Sequence, residues 1–310
     1  MKQNTPESTV SRNRTAGTSN TKRLIELSGP SPLRFLIAVG FDWLIIGLAM
    51  SAAGYFQHPI AYVLAVLFVG VRQHGLFIMA HDGGHFRAAG NRRVNDLLTN
   101  IFCVWPFGRD LKAYRQSHFD HHRYVGTKDD PELHFRALNA PQWDLPITPW
   151  RIFGLAFRDL IGIHIARNTL NLIWSVVGAS RKDQLIAGGL LVTVFFTLWS
   201  QGWHWMLAIW FLALLTVAPA SFRLREWTEH INTHETHRIT ASWWQRFFFL
   251  AHNTWCHFEH HRWSQIPSWN LAKARSFVTD VPSISVSELF WKHANAQSLR
   301  SGALPRHLRQ

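Results

Sequence analysis

Residues 35–56 form an apolar run whose only charged side chain is Asp42, and residues 59–80 form a second, broken only by Arg72 and His74. Two more runs cover residues 185–199 and 203–222. In lipid each backbone amide must find its partner within the segment, so a run of roughly 20 apolar residues becomes a helix crossing the ~30 Å hydrocarbon core. The third run is short by that measure and reaches across only if Ser200-Gln201-Gly202 sits in the interface. Only a handful of residues separate the members of each pair. The pattern predicts an all-α, multi-pass membrane fold of two transmembrane hairpins, four spans in all, carrying a cytoplasmic helical cap.

Charge orients the spans. The connections 53–58 and 200–202 contain no Lys or Arg, whereas residues 86–184 contain 14 and residues 223–310 contain 11. The positive-inside rule then puts both termini and the long middle segment in the cytoplasm. A net charge of +13 in a soluble chain would point to nucleic acid. Here no compact Lys/Arg module accompanies the apolar runs, so an anionic membrane face or an acidic protein is expected instead. Residues 1–30, polar and without an apolar core, read as a disordered cytoplasmic tail, residues 31–293 as the membrane domain and residues 294–310 as a basic tail. Residues 149–178 mix apolar side chains with Arg151, Arg158 and Arg167 and read as an amphipathic helix on the membrane surface; residues 243–250 suit the same role.

Two cysteines, Cys103 and Cys256, are too few for a thiolate metal site or a disulfide framework, but there are 19 histidines. The second apolar run leads straight into His81-Asp-Gly-Gly-His85; His118-Phe-Asp-His121-His122 and His257-Phe-Glu-His260-His261 follow. Residues three and four apart share a helix face, so each set can converge. A lone histidine is usually an ordinary surface or core residue. Two HxxHH repeats plus an HxxxH are not explained by composition. Eight imidazoles exceed the roughly four that one ion needs and match a di-metal site. The metalloprotease pattern HExxH is not met, since Asp82 stands where its glutamate would be, and Glu226, Glu229 and Glu259 lack the ExxH spacing of carboxylate di-iron bundles. Imidazole suits zinc, copper, nickel and iron alike, so ligand type alone leaves the metal open.

The stretches RQHGLFIMAHDGGH (72–85), YRQSHFDHHRYVGTKDDPEL (114–133), REWTEH (225–230) and HNTWCHFEHHRWSQIPSWNL (252–271) resemble the histidine boxes of the membrane fatty acid desaturase superfamily, in particular its bacterial-type branch. That superfamily also holds hydroxylases and carotenoid ketolases. The resemblance implies two non-haem iron ions, with O2 as cosubstrate. The implied ligands are His81, His85, His118, His121, His122, His257, His260 and His261, with His230 as a further ligand after the fourth span. It also implies Asn253 near a metal. His74, seven residues before His81, Asp82 and Glu229 are candidates for orienting ligands from behind. Asp120, Asp129, Asp130 and Glu259 share that possibility, while His234, His237 and His252 are expected beside the ligands rather than among them. His58, His134, His164, His204, His293 and His307 have no clustered partners and are expected to be ordinary residues.

The implied reaction removes hydrogen from an unactivated C–H bond of a membrane lipid, giving a C=C bond in a fatty acyl-lipid or acyl-thioester. Hydroxylation or ketolation of a lipid, sphingoid or carotenoid is the rival outcome. Electrons are expected from a separate ferredoxin-like or cytochrome b5-like protein, because the chain has no haem motif and too few cysteines for a fused carrier. A divalent-metal transporter would place its ligands along an intramembrane path, whereas these clusters follow the ends of the spans.

Overall fold

A computed structural model describes residues 21–139, 141–233 and 235–296; the expected tails at 1–20 and 297–310 lie outside the described residues, as does His234. A helical turn over 21–27 comes first, inside the stretch expected to be disordered, and Asn270 donates to Leu27 O at 2.8 Å. Helix α1 (Pro32–Phe56) begins where the Ser31 hydroxyl accepts from Arg34 N and ends at Gln57 in the left-handed region. Helix α2 (Pro59–Gly84) begins at His58, whose ring caps Ile60 N. After them come α3 (Arg92–Thr99), α4 (Leu111–Tyr124), α5 (Pro131–Leu138), α6 (Pro149–Leu160), α7 (Ile165–Val177) and α8 (Arg181–Ser200). The chain continues through α9 (Trp205–Leu215), α10 (Val217–Glu229), α11 (Trp243–Phe248), α12 (His257–Arg262), α13 (Ser268–Ala274) and α14 (Val286–Ala294). The fold is mostly helical. Its departure from all-α is a two-residue parallel pairing of Ile239–Thr240 with Ile284–Ser285.

Among the described residues four helices are long and apolar enough to cross a membrane: α1, α2, α8 and the run Trp205–Glu229 formed by α9 and α10. The third is longer than its apolar run, because Ser180 caps a first turn of Arg181, Lys182 and Asp183. The fourth breaks at Thr216; the ring of Pro219 removes a donor and crowds the carbonyl four residues before it. The second outlasts its apolar run and carries His81 on its last turn. Outward side chains such as Leu33, Leu44, Val192 and Trp199 are largely exposed, as expected where lipid is the solvent.

Helix α2 is the central span, packed against α1, α9 and α10. Gly70 permits the closest approach, since a Cβ there would lie 2.4 Å from Val217 Cβ. One apolar core, including Phe35, Val69, Met79, Phe107 and Ile209, joins these spans. A second, built around Trp227, Ile152, Leu250 and Leu289, holds the segments that follow them.

The expected single amphipathic helix over 149–178 is two helices, α6 and α7, bent by 73°. Gly162 turns the chain between them at φ +80°, where only glycine is unstrained. Trp150, Phe157 and Trp174 remain exposed on their outer faces.

Candidate metal centre

Helix ends, not helix middles, supply most of this site. Gly83 brings the end of α2 against Thr99, leaving no room for a Cβ. Arg115 donates to Gly84 O at 2.8 Å and Gly83 O at 3.2 Å, drawing α4 onto that same end. Asp110 caps α4 through Lys112 N and Ala113 N, which fixes the turns bearing His118, His121 and His122. Before α12, His252 and Asn253 both adopt positive φ, at 47° and 60°, and this double left-handed turn aims the short helix of His257, His260 and His261. His230 follows α10 as its C-cap.

The histidines converge in two groups: His81, His85, His118, His122 and His260 in one, and His121, His230, His257 and His261 in the other, with donor atoms within 4.8 Å of one another in each. Each HxxHH box is divided. Its residues four apart (His118 with His122, His257 with His261) enter one group, and the intervening histidine crosses to the other. In the first group Nε2 atoms face one another at 2.9 Å (His85–His118), 3.0 Å (His118–His122) and 3.0 Å (His122–His260). In the second the separations are 3.1 Å (His121–His230), 2.8 Å (His230–His257) and 3.1 Å (His257–His261). His81 Nε2 is buried with no hydrogen-bond partner among the described residues.

The second nitrogens fix what the first can do. His230 Nδ1 lies 2.8 Å from Glu235 O, an atom that only accepts, so that nitrogen carries the proton and Nε2 of the neutral ring presents a lone pair. His121 Nδ1 lies 2.8 Å from Asp130 with the same consequence. Facing lone pairs at ~3 Å repel unless a cation lies between them, and about 3 Å is the edge expected for ligands ~2.1 Å from one ion at right angles. The donor set therefore fits two metal ions.

Electrostatics agree. Burial, then the charges of His122, Arg87 and Arg115, hold His85 down to about 3; burial and His121 hold His122 down to about 4. Burial likewise pushes His118, His230, His257, His260 and His261 well down, with neighbouring imidazoles adding to the effect. Such rings stay neutral, as ligands must. In His121 burial also opposes charge, but the hydrogen bond to Asp130 and the charge of Glu132 outweigh it and raise the ring.

Of the acids among the boxes, Asp130 bonds a clustered histidine directly. It caps α5 through Glu132 N while accepting from His121, and the Asp-Pro that starts α5 is a visible cap signal. Glu229 lies 3.6 Å from His257 Nδ1 and pairs with Arg225 at 3.1 Å. Asp82 accepts from Ser268 N at 2.9 Å and stands 3.8 Å from His81. Glu259 pairs with Arg238 and Arg275, and Asp120 accepts from Gln116. Asn253 donates to Ser268 O and accepts from Trp255 Nε1, tying the turn rather than bonding a histidine. His74 is buried in α2 with both ring nitrogens unpartnered among the described residues. His237 Nε2 donates to Ile231 O at 2.7 Å and His293 Nε2 to Trp227 O at 2.9 Å; both rings are buried. Sequence reasoning did not single out Glu132, 3.6 Å from His121 Nε2, or Tyr114, which stacks on His118 at 5.6 Å. Tyr114 precedes His118 by four residues, and that spacing was its signal. It also did not pair Asp42 with His252, 2.7 Å apart across 210 positions.

Comparison with known proteins adds a family to this geometry. The family model described as Fatty acid desaturase matches residues 57–283. The chain is similar to dihydrorhizobitoxine desaturase of Bradyrhizobium elkanii, 26% identical over 295 residues covering 87% of this chain and 82% of that protein. It is similar to the sn-1 acyl-lipid omega-3 desaturase (ferredoxin) of Nostoc sp., 22% identical over 77% of this chain and 73% of the relative. A zeaxanthin 4-ketolase of Chlamydomonas reinhardtii is 26% identical over 65% of this chain, which spans 41% of that longer protein.

Proposed function

The chain belongs to the fatty acid desaturase family and is a desaturase-like oxidoreductase of the membrane, and from that premise we propose that it is an O2-dependent di-iron desaturase placing a C=C bond in a fatty acyl lipid or thioester. The observation that carries this reading is the pair of histidine groups whose Nε2 atoms face one another at 2.8–3.1 Å. His81, His85, His118, His122 and His260 would hold one iron and His121, His230, His257 and His261 the other. Iron bound there supplies the redox chemistry that couples O2 to hydrogen removal from an unactivated C–H bond.

The protein's own part is orientation and exclusion of water. Asp130 and Glu235 O set the tautomers of His121 and His230, fixing which nitrogen meets the metal. Burial of His121, His257 and His260 keeps bulk water from the rings. In this reading α1–α2 and α8–α10 are two hairpins, and the histidines cap them on the cytoplasmic side, where both termini lie. The electron donor is a separate protein drawn to the basic face. Expression in a host lacking the activity, followed by mass-spectrometric lipid profiling, tests the reading. A new unsaturated acyl product supports it; an oxygenated product without an unsaturated one refutes desaturation in favour of the hydroxylase or ketolase outcome, for which the zeaxanthin 4-ketolase relative speaks.

A further inference from the structure

Three arginines line a cleft away from the two histidine groups. The cleft, of about 480 Å³, lies between the end of α5 and the bent pair α6–α7, and is lined by Arg151, Arg158, His164 and Arg167 with Gln142 and Leu155. Its charge is poorly balanced. Asp159 accepts from Arg223 at 2.6 Å, faces His164 at 2.7 Å and lies 3.5 Å from Arg167. Arg151 and Arg158 form no ion pair among the described residues, and both are exposed. Gln142 is 8% exposed, and its amide oxygen has no hydrogen-bond partner among the described residues. A Cβ placed on Gly154, also in the lining, would meet nothing within 4 Å.

Helical geometry sets the depth of this cleft. At 100° per residue, α6 divides into three stripes. Ile152, Ala156 and Asp159 are buried; Trp150, Phe153 and Phe157 are exposed; and Arg151, Gly154, Leu155 and Arg158 lie between them, facing the cleft. An exposed aromatic stripe on a surface helix settles at the acyl boundary, which puts the adjoining arginine stripe at the level of lipid headgroups. Guanidinium groups there, Arg151 and Arg158 without a carboxylate partner among the described residues and Arg167 sharing Asp159, match phosphate oxygens, which they bind through paired, charge-assisted hydrogen bonds. We propose that this cleft binds the phosphate of a membrane phospholipid headgroup, through Arg151, Arg158 and Arg167, with the acyl chains running into the bilayer beside Trp150 and Phe157. The site is independent of the metal reading and stands or falls without it.

The test uses the full-length protein, purified in detergent, delipidated and titrated with phosphatidylglycerol while bound lipid is counted by native mass spectrometry. Three arms accompany it: diacylglycerol, which lacks the phosphate; inorganic phosphate alone; and two variants. Arg151→Gln/Arg158→Gln removes two charges from exposed positions. Gly154→Leu fills the cleft and leaves every charge in place. Each charged hydrogen bond lost should weaken binding by about ten-fold or more, so the double variant should bind the lipid at least that much less tightly; Gly154→Leu, by occupying the cleft, should also bind it less tightly, and diacylglycerol should not bind at the site. Wild-type affinity in the double variant, or in Gly154→Leu, would overturn the proposal. Inorganic phosphate displacing the lipid only at concentrations far above it supports a lipid site, and equal affinity for free phosphate overturns the lipid assignment. Iron content unchanged in both variants separates a headgroup defect from a damaged metal centre.

Discussion

Asp42 lies in the first span with no solvent exposure, and two side chains depend on it. Arg72 of the second span donates to it at 3.3 Å, and His252 Nε2 approaches it at 2.7 Å. Arg72 also donates to Phe247 O, so the cluster straps the segment before the third histidine box onto two spans. Replacing Asp42 by Ala leaves a buried guanidinium without its counter-ion and frees the left-handed turn at His252–Asn253. Breaking one side of a buried pair costs about 3–5 kcal/mol, far above the ~0–1 kcal/mol of an exposed pair. Arg72 keeps the Phe247 carbonyl and the Phe247 ring face at 4.4 Å, which places the loss near the lower end, about 3 kcal/mol. Releasing the strained turn should also let α12 drift, so bound iron should fall with stability. The assay is denaturant unfolding of the detergent-solubilised protein, followed by tryptophan fluorescence, with iron per chain measured on the same samples. Asp42→Asn, which keeps an acceptor but not the charge, should lose less than Asp42→Ala. Gly75→Ala offers an independent route, because its Cβ would lie 2.9 Å from the Asp42 carboxylate oxygens. An Asp42→Ala protein that unfolds at the wild-type midpoint with full iron would refute the strap.

Other outcomes follow from the site itself. His118→Ala, His121→Ala, His257→Ala and His260→Ala should each abolish turnover and lower bound iron while membrane insertion is retained; full activity in any two of them would defeat the ligand assignment. Asp130→Asn should weaken metal affinity by roughly 10–100-fold, the usual effect of losing a carboxylate behind a ligand, whereas Asp129→Asn, one position earlier, should leave it unchanged; metal-buffered titration compares the two. Burial holds His122 and His293 down to about 4 and His85 to about 3, against about 6.5 for a free imidazole. On acidification the unfolded chain therefore takes up protons before the folded one does. The contribution of these rings to the stability of the iron-free protein should be complete above pH of about 6.5 and be lost as pH falls toward about 4. A denaturation midpoint that holds steady or rises over that interval would contradict the neutral-ring assignment.

The sequence by itself determined the long apolar helices and the histidine boxes, because both are local. A bilayer reads apolar length, so four long helices were legible without any contact being known. The i, i+3 and i+4 spacing of the boxes was likewise enough to show that imidazoles gather. Span ends were less legible, since Ser180 lengthens α8 beyond its apolar run and Pro219 breaks the fourth span at Thr216. Composition over 149–178 showed an amphipathic character but not the 73° bend, which one glycine at positive φ decides. Which histidines gather together was invisible, because each HxxHH box feeds both groups and the division depends on how α2, α4, α10 and α12 cross. Nor could spacing pair Asp42 with His252: a charge in a span announces that a partner is needed, but only folding brings residues from opposite ends of the chain within 2.7 Å.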